Sequence, residues 1–342
     1  NSKKAVAIKK AAKEVIKGEH DDAFPLDVFQ TGSGTSTNMN ANEVIAALAS
    51  KTSKLKIHPN DDVNMSQSSN DVIPTAICIS ALLDVNRLLL PNLDLLINEI
   101  DKKIKEVKGV TKTGRTHLMD AMPIEFSQEL SGWKAQLAEI KKTLIKATLR
   151  ISELPQGGTA IGTGINAPKD FSKVFCEEVN KVSKLKVKPM KNLYMGLSSV
   201  DSAVELSGVT RNLAVVLLKI SNDLRWMNSG PLTGLGEIEL QALQPGSSIM
   251  PGKVNPVIPE AVAMASVDVM GNDSSIAIAG ASGNFQLNVM LPLVAYNLLK
   301  SINLLGNAMP LLATKAIKTF KVNKNNIDES LSKNPILVTA LN

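Results

Sequence analysis

The sequence predicts an all-α protein built from long helices. Aromatic residues make up only 3% of the 342 residues, and the apolar residues are mainly Leu, Ile, Val, Ala and Met, which favour helix–helix packing over a sheet sandwich. Between Phe126 and Leu154, apolar residues recur at alternating steps of four and three, which is the heptad pattern of a long helix in a bundle. Segments with the alternating pattern of strands are scarce.

Further long helical segments are expected at about 72–107, 197–227 and 256–312, with a kink at Pro91 and interruptions near 280–283. Polar loops connect them at 31–42, 58–70, 114–120, 157–166 and 230–256. We expect an N-terminal domain at 1–68 that is truncated at its start and a central helical bundle at 69–324. Residues 325–342 are expected to begin a C-terminal domain that is mostly absent.

The composition argues against several functions. The net charge is +6, but the basic residues are scattered along helical faces without interleaved aromatic residues, so nucleic-acid binding is not favoured. Every long apolar run is interrupted by Lys, Asp, Asn or Ser, so we expect no membrane span. With two cysteines and three histidines, a zinc-type cluster is not expected.

The cysteines and the N-terminal segment bear on the compartment. Cys78 and Cys176 lie far apart in apolar patterns, which indicates buried thiols in a reducing environment. Residues 1–17 have no signal-peptide pattern. A cytoplasmic location is therefore expected. The mitochondrial matrix is the alternative, because a targeting segment could precede Asn1.

The segment Gly246–Pro256 carries the most chemistry. It is a glycine-rich loop with the hydroxyls of Ser247 and Ser248, the ammonium of Lys253 and the carboxamide of Asn255. A serine needs help to act as a base, and loop N–H groups with a nearby cation stabilise an alkoxide. Asn255 and Pro256 are expected as N-cap and first residue of the next helix, whose positive end attracts anions.

This loop is not a nucleotide site. Gly246 and Gly252 are one residue too far apart for a P-loop, and Val254 stands where a Ser or Thr is needed. The glycine-rich segment Gly157–Gly164 also lacks the spacing and the surrounding strands of a dinucleotide site.

Two further loops are dense in hydroxyls and amides. Residues 30–40 suit carboxylate binding, or alternatively the N-cap of a helix before Glu43. Residues 58–71 suit the same role, or a turn that caps the next helix. His117 is a candidate acid/base residue or a structural histidine, and Glu260 is a carboxylate placed to orient an imidazole. His20 is interpreted as structural.

Helix length adds a constraint. About 36 helical residues span roughly 50 Å, so a straight helix after Asn70 would separate Asn70 from His117 within one chain. If both residues are functional, the site must draw on more than one subunit. This predicts an obligate oligomer with a shared central bundle, unless the chain folds back sharply at Pro91.

Taken together, these loops resemble the class II fumarate hydratases of the fumarase/aspartase superfamily, over essentially the whole chain. Gly246–Pro256 matches the superfamily signature G-S-S-x-M-P-x-K-x-N without a break. The resemblance implies an all-α fold with long central helices that form a shared bundle in a homotetramer, and active sites built from three chains. It implies no cofactor, no metal, no nucleic-acid partner and no membrane partner.

The activity implied by the resemblance is the reversible anti hydration of fumarate to L-malate through an aci-carboxylate intermediate. Ser247 would be the C3 base on a mobile loop, and His117, paired with Glu260, would handle the proton of the hydroxyl. The residues implied in binding the substrate are Ser33, Gly34, Thr35, Ser68, Ser69, Asn70, Thr116, Ser248, Lys253, Val254 and Asn255. A second dicarboxylate site is implied at His58, Pro59, Asn60 and Asp61, with Lys54 or Lys56 as the accompanying basic residue.

Within the superfamily, the loops Gln30–Thr35, His58–Asp62 and Ser68–Asn70, together with His117 and Gly252, favour a fumarase over an aspartase. Residues 257–259 fit either. Two alternatives stay open: an aspartate ammonia-lyase, and a helical scaffold without catalysis.

Overall fold

The computed structural model describes residues 2–246, 249–250 and 252–335. Within these residues the helices are α1 (Ser2–Ile16), α2 (Thr35–Ser53), α3 (Ser69–Asp84), α4 (Leu90–Glu106), α5 (Phe126–Ile151), α6 (Phe171–Ser183), α7 (Leu193–Ser198), α8 (Asp201–Met227), α9 (Val257–Ala281), α10 (Leu291–Leu312) and α11 (Lys324–Ser332). The strands are β1 (Thr111–Thr116), β2 (Met119–Glu125), β3 (Glu153–Leu154), β4 (Lys188–Pro189), β5 (Ile238–Glu239) and β6 (Lys321–Val322). This mostly helical architecture confirms the predicted fold class.

Shorter helical segments complete the description. Asp21–Ala23 forms a 3₁₀ turn, and π-helical turns lie at Pro59–Val63, Val85–Leu89 and Ala313–Ile317. In the part of the chain that the structure describes, the strands form three two-stranded pairs, of which β1–β2 and β5–β6 are antiparallel and β3–β4 is parallel.

The described residues divide into two compact units. The first unit takes residues within 1–83, 147–207 and 273–300, and the second takes residues within 84–146, 208–272 and 301–342. The expected domain limits at 68 and 324 do not coincide with the limits of these units and stay predictions.

The first unit has a small core where α1 packs on α2. This core consists of Ala7 and Ala11 of α1, Ala46 and Ala49 of α2, and Ile57. The short alanine side chains let the two helices approach closely. Because Ile57 belongs to the loop that follows α2, this core also anchors that loop.

The second unit is organised around α4, α5 and the β1–β2 hairpin. The rings of Phe126 and Phe320 lie 5.9 Å apart between centroids. The buried ammonium of Lys103 lies 4.5 Å from the Phe320 ring and donates to the Phe320 carbonyl at 3.0 Å. These contacts tie the segment after α10 to α4, and α11 packs against β1.

The heptad seam is confirmed in α5. Its buried positions are Phe126, Leu130, Trp133, Leu137, Leu144, Ala147 and Ile151, with Ile140 half-buried. The helix ends at Ile151, and the last seam residue, Leu154, lies in β3. A strict four–three spacing therefore identified both the helix and the face that it buries.

The regular α-helix is interrupted close to Pro91, where a kink was predicted. Pro91 lies in the first turn of α4, directly after the π-helical turn Val85–Leu89, and the kink itself stays a prediction. In a regular α-helix, a proline ring clashes with the carbonyl of the residue four positions earlier. For Pro91 that residue is Arg87, which lies in the π-helical turn.

The predicted helix 197–227 needs correction. It is divided, since Ser199 is extended between α7 and α8. The interruption predicted near 280–283 is confirmed between α9 and α10.

The stretch Ser69–Glu106 is long and apolar enough to cross a membrane by length and composition alone. This differs from the expectation of no such segment. Core helices of water-soluble proteins can have the same length and composition. Leu82, Val85, Leu89 and Leu93 of this stretch are buried.

Candidate active site

In the first unit, Ser33–Thr35 forms the turn that enters α2. Gly34 is the N-cap residue and has a left-handed backbone (φ 71°), a conformation that glycine adopts without strain. The hydroxyls of Ser33 and Thr35 lie 2.7 Å apart. The turn begins a helix, as one interpretation predicted, but with Gly34 and no side-chain cap at the N-cap position. Carboxylate binding by this loop stays a prediction.

Side-chain hydrogen bonds to α2 connect the second polar loop, residues 58–71, to the first, residues 30–40. Ser69 begins α3, and its hydroxyl accepts a hydrogen bond from Asn38 Nδ2 at 2.9 Å. The Oδ1 of Asn64 accepts from Asn38 at 3.3 Å and from Asn42 at 3.2 Å. Asn38 lies one turn after Thr35, so the structure brings the two predicted loops together around one network of amides and hydroxyls.

Asp71, two residues after Ser69, is a further buried polar residue whose role the sequence did not predict. Its side chain is fully buried at the start of α3. Burial raises the pKa of its carboxyl, and hydrogen bonds from the N–H groups of Ser68, Thr159 and Gly157 oppose this rise. The signal in the sequence was the spacing Ser68-x-x-Asp71, which is that of a capping box.

The residues of the implied second dicarboxylate site form a separate cluster in the same unit. His58 caps the π-helical turn Pro59–Val63, and its Nδ1 accepts from the N–H of Asp61 at 3.2 Å. Asn60 and Asp61 are exposed. Lys4 contributes a basic group to this turn, since its Nζ lies 2.7 Å from Asp62 Oδ2. Lys54 and Lys56 were the predicted candidates.

In the second unit, Thr116 and His117 lie at the tip of the β1–β2 hairpin. The predicted loop 114–120 is therefore largely strand, because Thr116 pairs with Met119 across a two-residue turn. His117 and Leu118, the two turn residues, both have positive φ values of 56° and 61°. Such a primed turn matches the twist of the strands, and it leaves Thr116 and His117 exposed.

A buried ionic network supports the base of this hairpin. Lys112 Nζ lies 2.6 Å from Glu237 Oε2 and 2.8 Å from Glu129 Oε2. The other oxygen of Glu237 accepts from Arg115 Nη1, and Arg115 directly precedes Thr116. Since Lys112 and Glu237 are both almost fully buried, each charge depends on the other for its stability.

We expect Glu237→Gln to lower the free energy of unfolding by about 3 kcal/mol, because two cations lose a shared buried partner. The matched control is Glu239→Gln, an exposed residue of β5, for which we expect a change within about 0.5 kcal/mol. Urea unfolding followed by the fluorescence of Trp133 and Trp226 measures both, since both tryptophans lie in the second unit. Equal effects of the two substitutions would contradict the network.

The signature loop lies in the same unit as the hairpin. Ser247, Ser248 and Pro251 fall outside the described residues, so the placements predicted for the two serines are not described. The flanking residues Gly246 and Lys253 lie close together. A Cβ added to Gly246 would lie 3.1 Å from the Lys253 carbonyl oxygen. The side chains of Lys253 and Asn255 are exposed.

The end of the loop lines a cleft and begins a helix. Val254 and Asn255 line a cleft of about 480 Å³ together with residues of β5 and β6. Helix α9 begins at Val257, one residue later than expected, and Glu260 lies in its first turn. Among the described residues, His117 and Glu260 share no hydrogen bond or ion pair, so their pairing stays a prediction.

Comparison with known proteins agrees with this architecture. A family model described as "Lyase" matches residues 1–271. The chain is 56% identical over 336 residues to class II fumarate hydratase 2 of Pseudomonas aeruginosa, which covers 98% of this chain and 73% of that protein. It is also 56% identical over 338 residues to the class II fumarate hydratase of Xylella fastidiosa, covering 99% of this chain and 72% of that protein.

A solved structure shows the same fold. The crystal structure of recombinant class II fumarase from Schistosoma mansoni superposes with a TM-score of 0.97 at 40% identity, covering 100% of this chain and 76% of that chain. The sequence and fold comparisons point the same way. The chain belongs to the lyase family and, within it, to the class II fumarate hydratases.

Proposed function

We propose that this chain catalyses the reversible hydration of fumarate to L-malate. The observation that carries the proposal is the 56% identity to class II fumarate hydratases over nearly the whole chain. The loop Gly246–Pro256 supports it, because it holds a serine, a lysine and an asparagine beside a helix start. Those groups suit a substrate that carries carboxylates and a weakly acidic C–H.

In the malate-to-fumarate direction, Ser247 takes the proton from C3, and the electron pair of the broken C–H bond moves into the adjacent carboxylate. The resulting aci-carboxylate has extra negative charge, which Lys253, Asn255 and loop N–H groups stabilise. The C2–O bond then breaks, the C2=C3 double bond forms, and the hydroxyl leaves as water with a proton from the His117–Glu260 relay. Anti elimination requires Ser247 and the relay to face opposite sides of the substrate.

The two substrate carboxylates are assigned to the hydroxyls, amides and ammonium of the polar loops. In the first unit these groups belong to Ser33, Thr35, Ser68, Ser69 and Asn70, and Gly34 provides the left-handed turn that places Ser33 beside Thr35. In the second unit these are Thr116, Ser248, Lys253 and Asn255, with a backbone contribution from Val254. The reaction as proposed uses neither metal nor cofactor. The cluster at His58–Asp61 is assigned to a second, non-catalytic dicarboxylate site.

The working form is proposed to be a homotetramer in which each active site draws on several chains. The exposed apolar side chains of α9 support this, since Met264 and Ile278 are 68% and 71% exposed in one chain. A helix that is apolar on most of its faces is typically buried, and these side chains need a partner surface.

We expect Ile278→Asp to disrupt the tetramer and to abolish activity in parallel, because a charge would enter an apolar interface. The control is Val174→Asp on α6, another exposed apolar side chain, which should leave both unchanged. Sedimentation velocity with an activity assay across the gradient measures both properties. Turnover by a sedimenting monomer would overturn the shared-site proposal.

The product formed from fumarate separates hydration from ammonia addition. Proton NMR of fumarate incubated with the protein and excess ammonium should show L-malate, with deuterium at C3 when the solvent is D₂O. L-aspartate as the main product would move the assignment to an ammonia-lyase with the same loop chemistry.

A further inference from the structure

Asp71 is a buried carboxylate whose partners, among the described residues, are backbone N–H groups. Oδ1 accepts from Ser68 N at 3.0 Å, and Oδ2 accepts from Gly157 N at 2.9 Å and from Thr159 N at 2.8 Å. One oxygen therefore completes the capping of α3, and the other reaches a loop 86 residues further along the chain. A buried charge is tolerated only where such donors satisfy it.

The loop that Asp71 reaches is the glycine-rich loop Gly157–Gly164, to which the proposed mechanism gives no role. Its first residue, Gly157, has φ +99°, and a Cβ there would lie 2.1 Å from Ser172 Oγ. Thr159 is left-handed as well (φ 53°), which is uncommon for a β-branched residue. Gly162 and Gly164 of this loop also have positive φ. The N–H groups of Gly157 and Thr159 both donate to Asp71, so its carboxylate stabilises the left-handed backbone at the start of the loop.

A second contact joins the same loop to a proposed substrate ligand. Asn70 Nδ2 donates to the Ala160 carbonyl at 2.8 Å. This bond uses one hydrogen of the amide and fixes its plane, and the other hydrogen stays available for a carboxylate. The orientation of Asn70 thus depends on where the glycine-rich loop lies.

We propose that Asp71 is a positioning residue for substrate binding, which locks the turn Ser68–Asn70 and the glycine-rich loop into one rigid unit. This inference rests on the proposed function, because it assumes that Ser69 and Asn70 bind a substrate carboxylate. Asp71 does not touch the substrate. It acts through Asn70 and through the backbone that carries Ser69.

The test is Asp71→Asn, which keeps the shape of the side chain but turns one acceptor oxygen into a donor that faces N–H groups. We expect the KM for L-malate to rise at least about tenfold and kcat to change by less than about threefold, since the loss is one of binding. The control is Asp201→Asn, an exposed acid in the first turn of α8, which should leave both constants unchanged. An unchanged KM in Asp71→Asn overturns the proposal.

Hydrogen exchange measured by mass spectrometry provides a readout that does not depend on turnover. Without ligand, Asp71→Asn should exchange faster than the unsubstituted protein in peptides covering 66–73 and 157–164, and at the same rate in α6. If the unsubstituted protein does not turn over L-malate, the proposed function fails, and this comparison still tests the Asp71 contacts. Equal exchange rates of these peptides in the two proteins would show that the Asp71 contacts do not hold the two segments in place.

If Asp71→Asn does not fold, the unsubstituted protein decides the question. Succinate, a dicarboxylate that cannot be dehydrated, should slow exchange in 66–73 and in 157–164 together, because the two segments move as one unit. Any other pattern, including protection of 66–73 alone, contradicts the proposal.

Discussion

Replacing Ser247 with alanine is expected to remove most of the turnover while leaving the assembly intact. General acid–base groups contribute about 10²- to 10⁴-fold to a rate, and we expect kcat to fall within that range. The hydroxyl is the only group lost, and the loop remains anchored where Gly246 approaches Lys253. Structural damage should therefore be small.

The measurement is the initial rate of fumarate formation from L-malate, alongside sedimentation to confirm the oligomer. Ser131→Ala, an exposed serine on α5, is the matched control and should retain full activity. A kcat close to that of the unsubstituted enzyme in Ser247→Ala would show that another group removes the C3 proton.

The second large effect is expected for Lys253→Met. Methionine has a similar length and no charge, so the substrate carboxylate and the aci-carboxylate both lose a cation. Leaving a buried charge unpaired costs about 2–5 kcal/mol, and we expect kcat/KM to fall by about 10²- to 10³-fold. Because the negative charge on the substrate grows in the transition state, kcat should fall in addition to a rise in KM.

Lys324→Met is the control, since Lys324 is an exposed lysine at the start of α11 in the same unit. Steady-state kinetics with L-malate at several concentrations separate the effects on kcat and KM. An unchanged kcat/KM in Lys253→Met would show that this ammonium points into solvent during turnover.

The helices were predictable because their signal is local. The four–three spacing from Phe126 identified α5 and its buried face, and the interruption after α9 followed from the glycines near 280. The division at Ser199 was missed, since apolar residues continue across it. A local pattern predicts which face is buried more reliably than where a helix ends.

The β1–β2 hairpin could not be predicted from its own composition. Thr111–Thr116 is polar, and Lys112 is buried beside two carboxylates, those of Glu129 and of Glu237 far along the chain. The turn at His117 and Leu118 uses left-handed residues that are not glycine. Propensity is a weak guide where a long-range ion pair decides the structure.

In the candidate site, too, the long-range contacts were not predictable from the local sequence. The motifs identified Ser33, Thr35, Ser69 and Asn70, and the structure brings their loops together through Asn38. The local contact of Asp71 with Ser68 follows a capping-box spacing, but its contacts with N–H groups of a loop 86 and 88 residues away were invisible. Backbone donors leave no trace in residue identity, so only the fold reveals them.

The most direct test of the central claim is the absorbance of fumarate formed by the purified protein from L-malate and from L-aspartate as separate substrates. We predict fumarate from L-malate alone, formed about 10²- to 10⁴-fold more slowly by Ser247→Ala under the same conditions. Fumarate formed from L-aspartate, or from neither substrate at any protein concentration, would contradict the proposal that this chain is a fumarate hydratase.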